Sequence, residues 1–195
     1  IFCTSFFDTE ELYQKRYKKW IDYYHNHPFT NDKHLYLIDD CSDLELITDD
    51  VVHTIKEDQL GGFQEVNKIN IYSFNNRKGL NWSHNSANNE GWWRSFSASL
   101  DIAEEYNYEK IIHIESDAFL ISKRMFDYID SLKTGWIGLW ANKYNFPESC
   151  IQIICKDQFD SFRDFVSCGS HELSKKGFAE KIIPFTNVER RFVGD

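Results

Sequence analysis

What most constrains this chain is an alternation of short β-forming runs with stretches in which apolar residues return at helical spacing. Residues 1–7 (IFCTSFF) predict a strand, and Asp8 with Glu11 then offers a capping-box-like helix start before Tyr13, Tyr17, Trp20, Ile21 and Tyr24. After Pro28 a second strand, 34–38, runs straight into Asp39, Asp40, Cys41, Ser42 and Asp43, and a third is expected at 68–74. Residues 75–90, crowded with Asn, Ser and Gly, predict a loop. From Gly91 onward Trp92, Phe96, Leu100, Ala103 and Tyr106 keep the helical period, and the apolar strand 110–114 ends at Glu115, Ser116 and Asp117. A helix over 123–132, strands at 136–140 and 151–155 and a helix over 159–166 complete the pattern. Such alternation implies an α/β sandwich around a mostly parallel sheet, whose ligands bind outside the carboxyl ends of the strands. Nothing marks a linker, so 1–195 is expected to be a single domain, and there is no internal repeat.

Glu115-Ser116-Asp117 puts two carboxylates two residues apart at such a strand end, where extended geometry would point both the same way. Together they suit a hard divalent cation, Mn²⁺ or Mg²⁺, which prefers oxygen ligands and keeps positions open for phosphates. A solvated turn is the plain alternative for an isolated acid-x-acid triplet. Charge bears on the choice. With 22 Lys and Arg against 31 Asp and Glu, the net charge of -9 argues against a broad surface for nucleic acid or anionic lipid. An anionic ligand would need a local cation, and a bound metal supplies one.

Five cysteines, odd in number and without a C-x-x-C pair, suit reduced thiols in a cytosol-like compartment. No run of about 18 apolar residues and no signal-peptide pattern is present, so a cytoplasmic chain without a membrane span is expected. The chain opens at Ile1 within a strand and without an initiator Met, as an excised domain would.

The run 91–122, GWWRSFSASLDIAEEYNYEKIIHIESDAFLIS, resembles the helix-strand-DxD segment of GT-A-fold glycosyltransferases, and LYLIDDCSD resembles the strand end similar to VDDGSTD in many of that superfamily. The likeness spans about the first two thirds of the chain. It departs at Glu115, where the first D of D-x-D would stand, and at Cys41, which replaces the usual Gly and puts that turn's backbone in question. The resemblance implies a GT-A-like (Rossmann-like) α/β/α sandwich and transfer of a sugar from a nucleotide-diphosphate donor, commonly a UDP-sugar, to a hydroxyl of a glycan or glycoconjugate. It further implies that Asp39 contacts the nucleobase, that Asp117 ligates the metal and that Glu115 supports the metal or ribose, with Ser116 between them binding the nucleotide sugar. Thr4 and Ser5, at the end of the first strand, would meet base and ribose or merely terminate the strand. His171 would be a third metal ligand or a surface histidine.

Other residues keep two readings open. Arg94, on the first turn of its helix, is placed to grip a diphosphate bidentately or to lie on the surface. Asn81, His84, Asn85, Asn88 and Asn89 would bracket a donor sugar or simply favour turns. Trp136 and Trp140 offer stacking faces or core filling, and His113, turned away from Ile112 and Ile114, is expected to be packed or solvated. Inversion at the sugar would need a base, for which Asp157, Asp160, His171, Glu172, Glu189 and Asp195 are equivalent by spacing, so stereochemistry stays open. A sugar-nucleotide nucleotidyltransferase is the second enzyme class, although residues 5–11 lack the Gly, Lys and Arg that would hold a triphosphate. A non-catalytic nucleotide- or carbohydrate-binding module is the third possibility.

Overall fold

The computed structural model describes residues 1–47, 49–59, 69–79, 81–83 and 86–192, with backbone only at 4, 5, 81–83 and 86–88. An eight-stranded sheet organises it, in the order β10-β8-β9-β7-β1-β2-β4-β3. Its strands are β1 (Phe2–Ser5), β2 (Leu35–Asp39), β3 (Val52–Lys56), β4 (Ile69–Ser73), β7 (Lys110–Ile114), β8 (Trp136–Ala141), β9 (Phe146–Cys155) and β10 (Asn187–Glu189). β9 alone pairs antiparallel to both its neighbours, so the other strands of this sheet share one direction. A separate antiparallel pair, β5 (Asn81–Ser83) with β6 (Ser86–Asn88), falls where a loop was expected.

β2 and β4 are buried along their whole length, which parallel strands covered on both faces require and which their apolar runs permit. One face carries Cys3, Leu37, Ile71, Ile112 and Ile114 against Tyr13, Tyr17, Trp20, Ile21 and Tyr24. Those aromatics lie on α1 (Glu10–Tyr13), a π turn Gln14–Lys18 and α2 (Lys19–His25), and Met125, Phe126 and Ile129 of α4 (Lys123–Ser131) join them. The helix start is capped by Thr9, whose Oγ1 accepts from the Leu12 amide at 3.2 Å, and not by Asp8. The opposite face carries Phe2, Tyr36, Ile38, Ile111, Trp136 and Ile154. It packs on α3 (Glu90–Glu105), α5 (Phe159–Val166), α6 (Ser170–Lys175) and α7 (Ala179–Ile182), so helices cover both faces. Among the described residues no helix is long and apolar enough to cross a membrane.

β9 begins earlier than the expected 151, and its pairing with β8 slips between Gly138 and Leu139, which face Gln152 and Glu148 respectively. Residues 149–151 therefore bulge out of the β8 ladder beside the end of β7.

Candidate functional site

From β1 the chain crosses to β2 and on toward β4, whereas β7 lies on the other flank of β1 and leads to β8. The order thus reverses between β1 and β7, and in open α/β sheets the crevice outside the carboxyl ends at such a point receives ligands. Glu115, Ser116 and Asp117 follow β7 directly, at that edge of the sheet. The Glu115 amide continues the ladder by donating to the Cys150 carbonyl at 2.9 Å, and the Ala118 amide then closes a turn on the Glu115 carbonyl at 2.9 Å. The triplet is therefore a turn, not the extended segment that alternation predicted.

The turn still keeps both carboxylates at one edge. Cys3 of β1 is fully buried, and after burial the largest influences raising its thiol pKa are the negative charges of Glu115 and Asp117. Both charges also help raise the Cys150 thiol, behind burial and Glu148. Ser116 is buried and hydrogen-bonds the Cys3 thiol. Glu115, with a quarter of its side chain exposed, accepts the Trp92 indole N–H at 3.0 Å, and Asp117 is exposed. Among the described residues no Lys or Arg forms an ion pair with either.

Asp39 is placed differently. It is fully buried, and its Oδ1 accepts the Tyr17 hydroxyl at 2.8 Å and the Ser42 hydroxyl, while Oδ2 accepts the Ser42 amide at 2.7 Å and the Ser73 hydroxyl at 2.9 Å. Those bonds join α1's π turn, β2, the turn after it and β4. Nothing of the carboxylate is left facing a nucleobase. The turn it clamps has Cys41 at φ 67, so the left-handed conformation natural to Gly is adopted here by a residue with a Cβ.

Asp40, 1% exposed, accepts the backbone amides of Lys78 at 3.1 Å and Gly79 at 2.7 Å, and Arg94 donates to it as well. The rest of the Arg94 fork binds Asn76 Oδ1 at 2.7 Å and lies over the Phe74 ring at 3.9 Å. Arg94 thus anchors the loop before α3, and its guanidinium is not free to grip a diphosphate. Gly91 is required against this anchor, since a Cβ there would collide with Asp40 Oδ2 and stand 2.8 Å from the Gly79 carbonyl oxygen.

That anchored loop presents two cations that the sequence reading passed over. Arg77 lies over the Phe6 ring at 3.8 Å and pairs with Asp8 at 3.5 Å just beyond β1, and Lys78 pairs with Glu90 at 3.0 Å at the start of α3. His171 of α6 also binds Glu90, at 3.2 Å, so the structure brings His171 to α3 and not to the Glu115 turn. Among the described residues no three His, Cys, Asp or Glu side chains are grouped to hold a metal. Thr4 and Ser5 end β1 beside the crevice; their side chains, like those of Asn81 and Asn88, lie outside the description, as do residues His84 and Asn85 entirely.

A second acidic contribution comes from β9, and the sequence reading did not weigh it. Burial raises the Glu148 carboxyl above its ordinary range, and the charges of Glu180 and Glu115 push the same way. Ser149 hydroxyl donates to Glu180 of α7 at 2.8 Å. The missing signal was the bulge, which a β-forming run does not reveal. Trp136 is fully buried and bonds Gln152 at 3.0 Å, which is core filling, while Trp140 is partly exposed under Arg190, 3.4 Å from its ring.

No protein-family model, curated protein or solved structure matches this chain. The chemistry must then be argued from the crevice itself. Its oxygen donors, Glu115 and Asp117, fit a hard divalent cation, because both are acidic, share one strand end, and are not neutralised by an ion pair with a described Lys or Arg.

Proposed function

We propose that this chain is a metal-dependent glycosyltransferase that moves a sugar from a nucleotide-diphosphate donor, a UDP-sugar by preference, to a hydroxyl of a glycan or glycoconjugate. The observation that carries the reading is the open acid pair, Glu115 and Asp117, at the carboxyl end of β7 where the strand order reverses. The glycosyltransferase-like order of motifs and the left-handed backbone at Cys41, where the resembled motif has Gly, support a GT-A-like arrangement.

In this reading Glu115 and Asp117 hold Mn²⁺ or Mg²⁺, which supplies charge stabilisation for a departing diphosphate, worth several kcal/mol in such sites. The chain's own residues do the rest. Trp92 holds the Glu115 carboxylate by one oxygen, which restricts its rotamers. Asp40 fixes the backbone of the Arg77-Lys78 loop, so that two cationic side chains stand near the donor's phosphates. Asp39 holds the turn that shapes the nucleotide end of the crevice without touching the base.

Titration of UDP with and without Mn²⁺, followed by a hydrolysis and transfer assay over a panel of sugar nucleotides, tests the reading. Metal-enhanced UDP binding with slow donor hydrolysis is expected. Metal-independent binding, or binding with no turnover on any donor, would replace it with a non-catalytic module, and turnover of a sugar phosphate with UTP would make it a nucleotidyltransferase.

A further inference from the structure

His113, next to the last residue of β7, is fully buried, and neither ring nitrogen has a hydrogen-bond partner. Its imidazole meets Trp92 and Phe96 edge-on, at centroid distances of 5.8 and 5.1 Å, on the α3 side of the sheet. An apolar side chain would fill that space without the cost of burying two polar atoms unpaired. One polar group does face it: Glu115 Oε1 lies 3.9 Å from His113 Nε2, just beyond hydrogen-bond range. The same Oε1 accepts the Trp92 indole N–H at 3.0 Å. Two ring nitrogens, the indole Nε1 of Trp92 and Nε2 of His113, therefore face a single carboxylate oxygen, and no described residue bonds the other oxygen, Oε2.

We infer that His113 is a positioning residue: through Nε2–H it completes a two-donor cradle with Trp92 that fixes Glu115 Oε1 and presents Oε2 to a divalent cation in the crevice. The inference rests on the reading of Glu115 and Asp117 as cation ligands. A closure of about 1 Å would bring the pair to ordinary hydrogen-bond length. Groups that orient a metal-ligating side chain in this way typically alter metal affinity 10- to 100-fold when removed, at about that scale across metalloproteins.

The test measures Mn²⁺ affinity, by electron paramagnetic resonance of the free ion, and the melting temperature of the metal-free protein, for wild type, His113→Phe and His113→Gln. His113→Phe should melt at or above the wild-type temperature yet bind Mn²⁺ roughly 10- to 100-fold more weakly. His113→Gln, which retains an N–H donor, should recover part of the affinity, and a third variant without a donor, His113→Leu, takes the place of His113→Phe if that one does not fold. Wild-type Mn²⁺ affinity in His113→Phe, or in a folded His113→Leu, would make His113 a packing residue and overturn the inference while leaving the proposed function standing. Absence of Mn²⁺ binding by the wild type would overturn both.

Discussion

After β2 and after β7 the chain places acidic residues at the same edge of the sheet, and in sequence the two strand ends look interchangeable. Their surroundings differ. Asp39 and Asp40 are buried and accept from Tyr17, Ser42 and Ser73, and from Lys78, Gly79 and Arg94. Glu115 has one indole bond and Asp117 is exposed. A carboxylate whose lone pairs are filled by the protein shapes the crevice, whereas one with open lone pairs is available to something that enters it.

Substitutions can break that contrast. The largest effect is expected at Asp40→Ala, which leaves the Arg94 guanidinium and two backbone amides without their acceptor and should cost about 3–5 kcal/mol in urea unfolding. Asp39→Ala strands three hydroxyl donors and an amide, on the order of 3 kcal/mol. A loss below about 1 kcal/mol in either, with nucleotide affinity falling instead, would reverse the roles assigned here. At the other strand end Asp117→Ala should leave unfolding within about 0.5 kcal/mol of wild type and weaken Mn²⁺-dependent UDP binding on the order of 100-fold. Calorimetric titration showing unaltered Mn²⁺ dependence would remove Asp117 from the metal.

Two smaller effects sharpen the comparison. Burial, the dominant influence, raises the Asp39 carboxyl above its ordinary 3.8 despite its hydrogen bonds. Because the folded value is raised, folding favours the protonated form, and this contribution is complete below pH 3.8 and lost as pH rises through the folded pKa. Wild type should therefore lose stability relative to Asp39→Asn over that rise. A flat difference between their pH profiles would show Asp39 unshifted. Last, Cys41→Gly should relieve a left-handed backbone cost of about 1–2 kcal/mol and lose about 0.5–1 in chain entropy, for a net gain near 0.5 kcal/mol in thermal melts.

The sheet's interior strands were legible because residues such as Ile111, Ile112 and Ile114 are apolar on both faces, and 110–114 and 159–166 fall where the pattern put them. β3 escaped because four of its five residues are at least partly exposed, and α6, α7 and β10 are too short to carry a period. The acid motifs could be located but not told apart. What separates Asp39 from Glu115 is contact with Tyr17 and Ser73, 22 and 34 residues away, and sequence spacing does not encode such encounters.

The reversed direction of β9 has a mechanical corollary. Every neighbouring strand delivers its last residues to the crevice, whereas β9 delivers its first, so Glu148 and Ser149 arrive there straight from the hairpin that leaves β8. Deleting one residue of the 149–151 bulge would turn Glu148 to the other face of the sheet while leaving β7 in place. The bulge thus decides whether the second acidic wall faces the first at all, in the way a bolt is set by its catch.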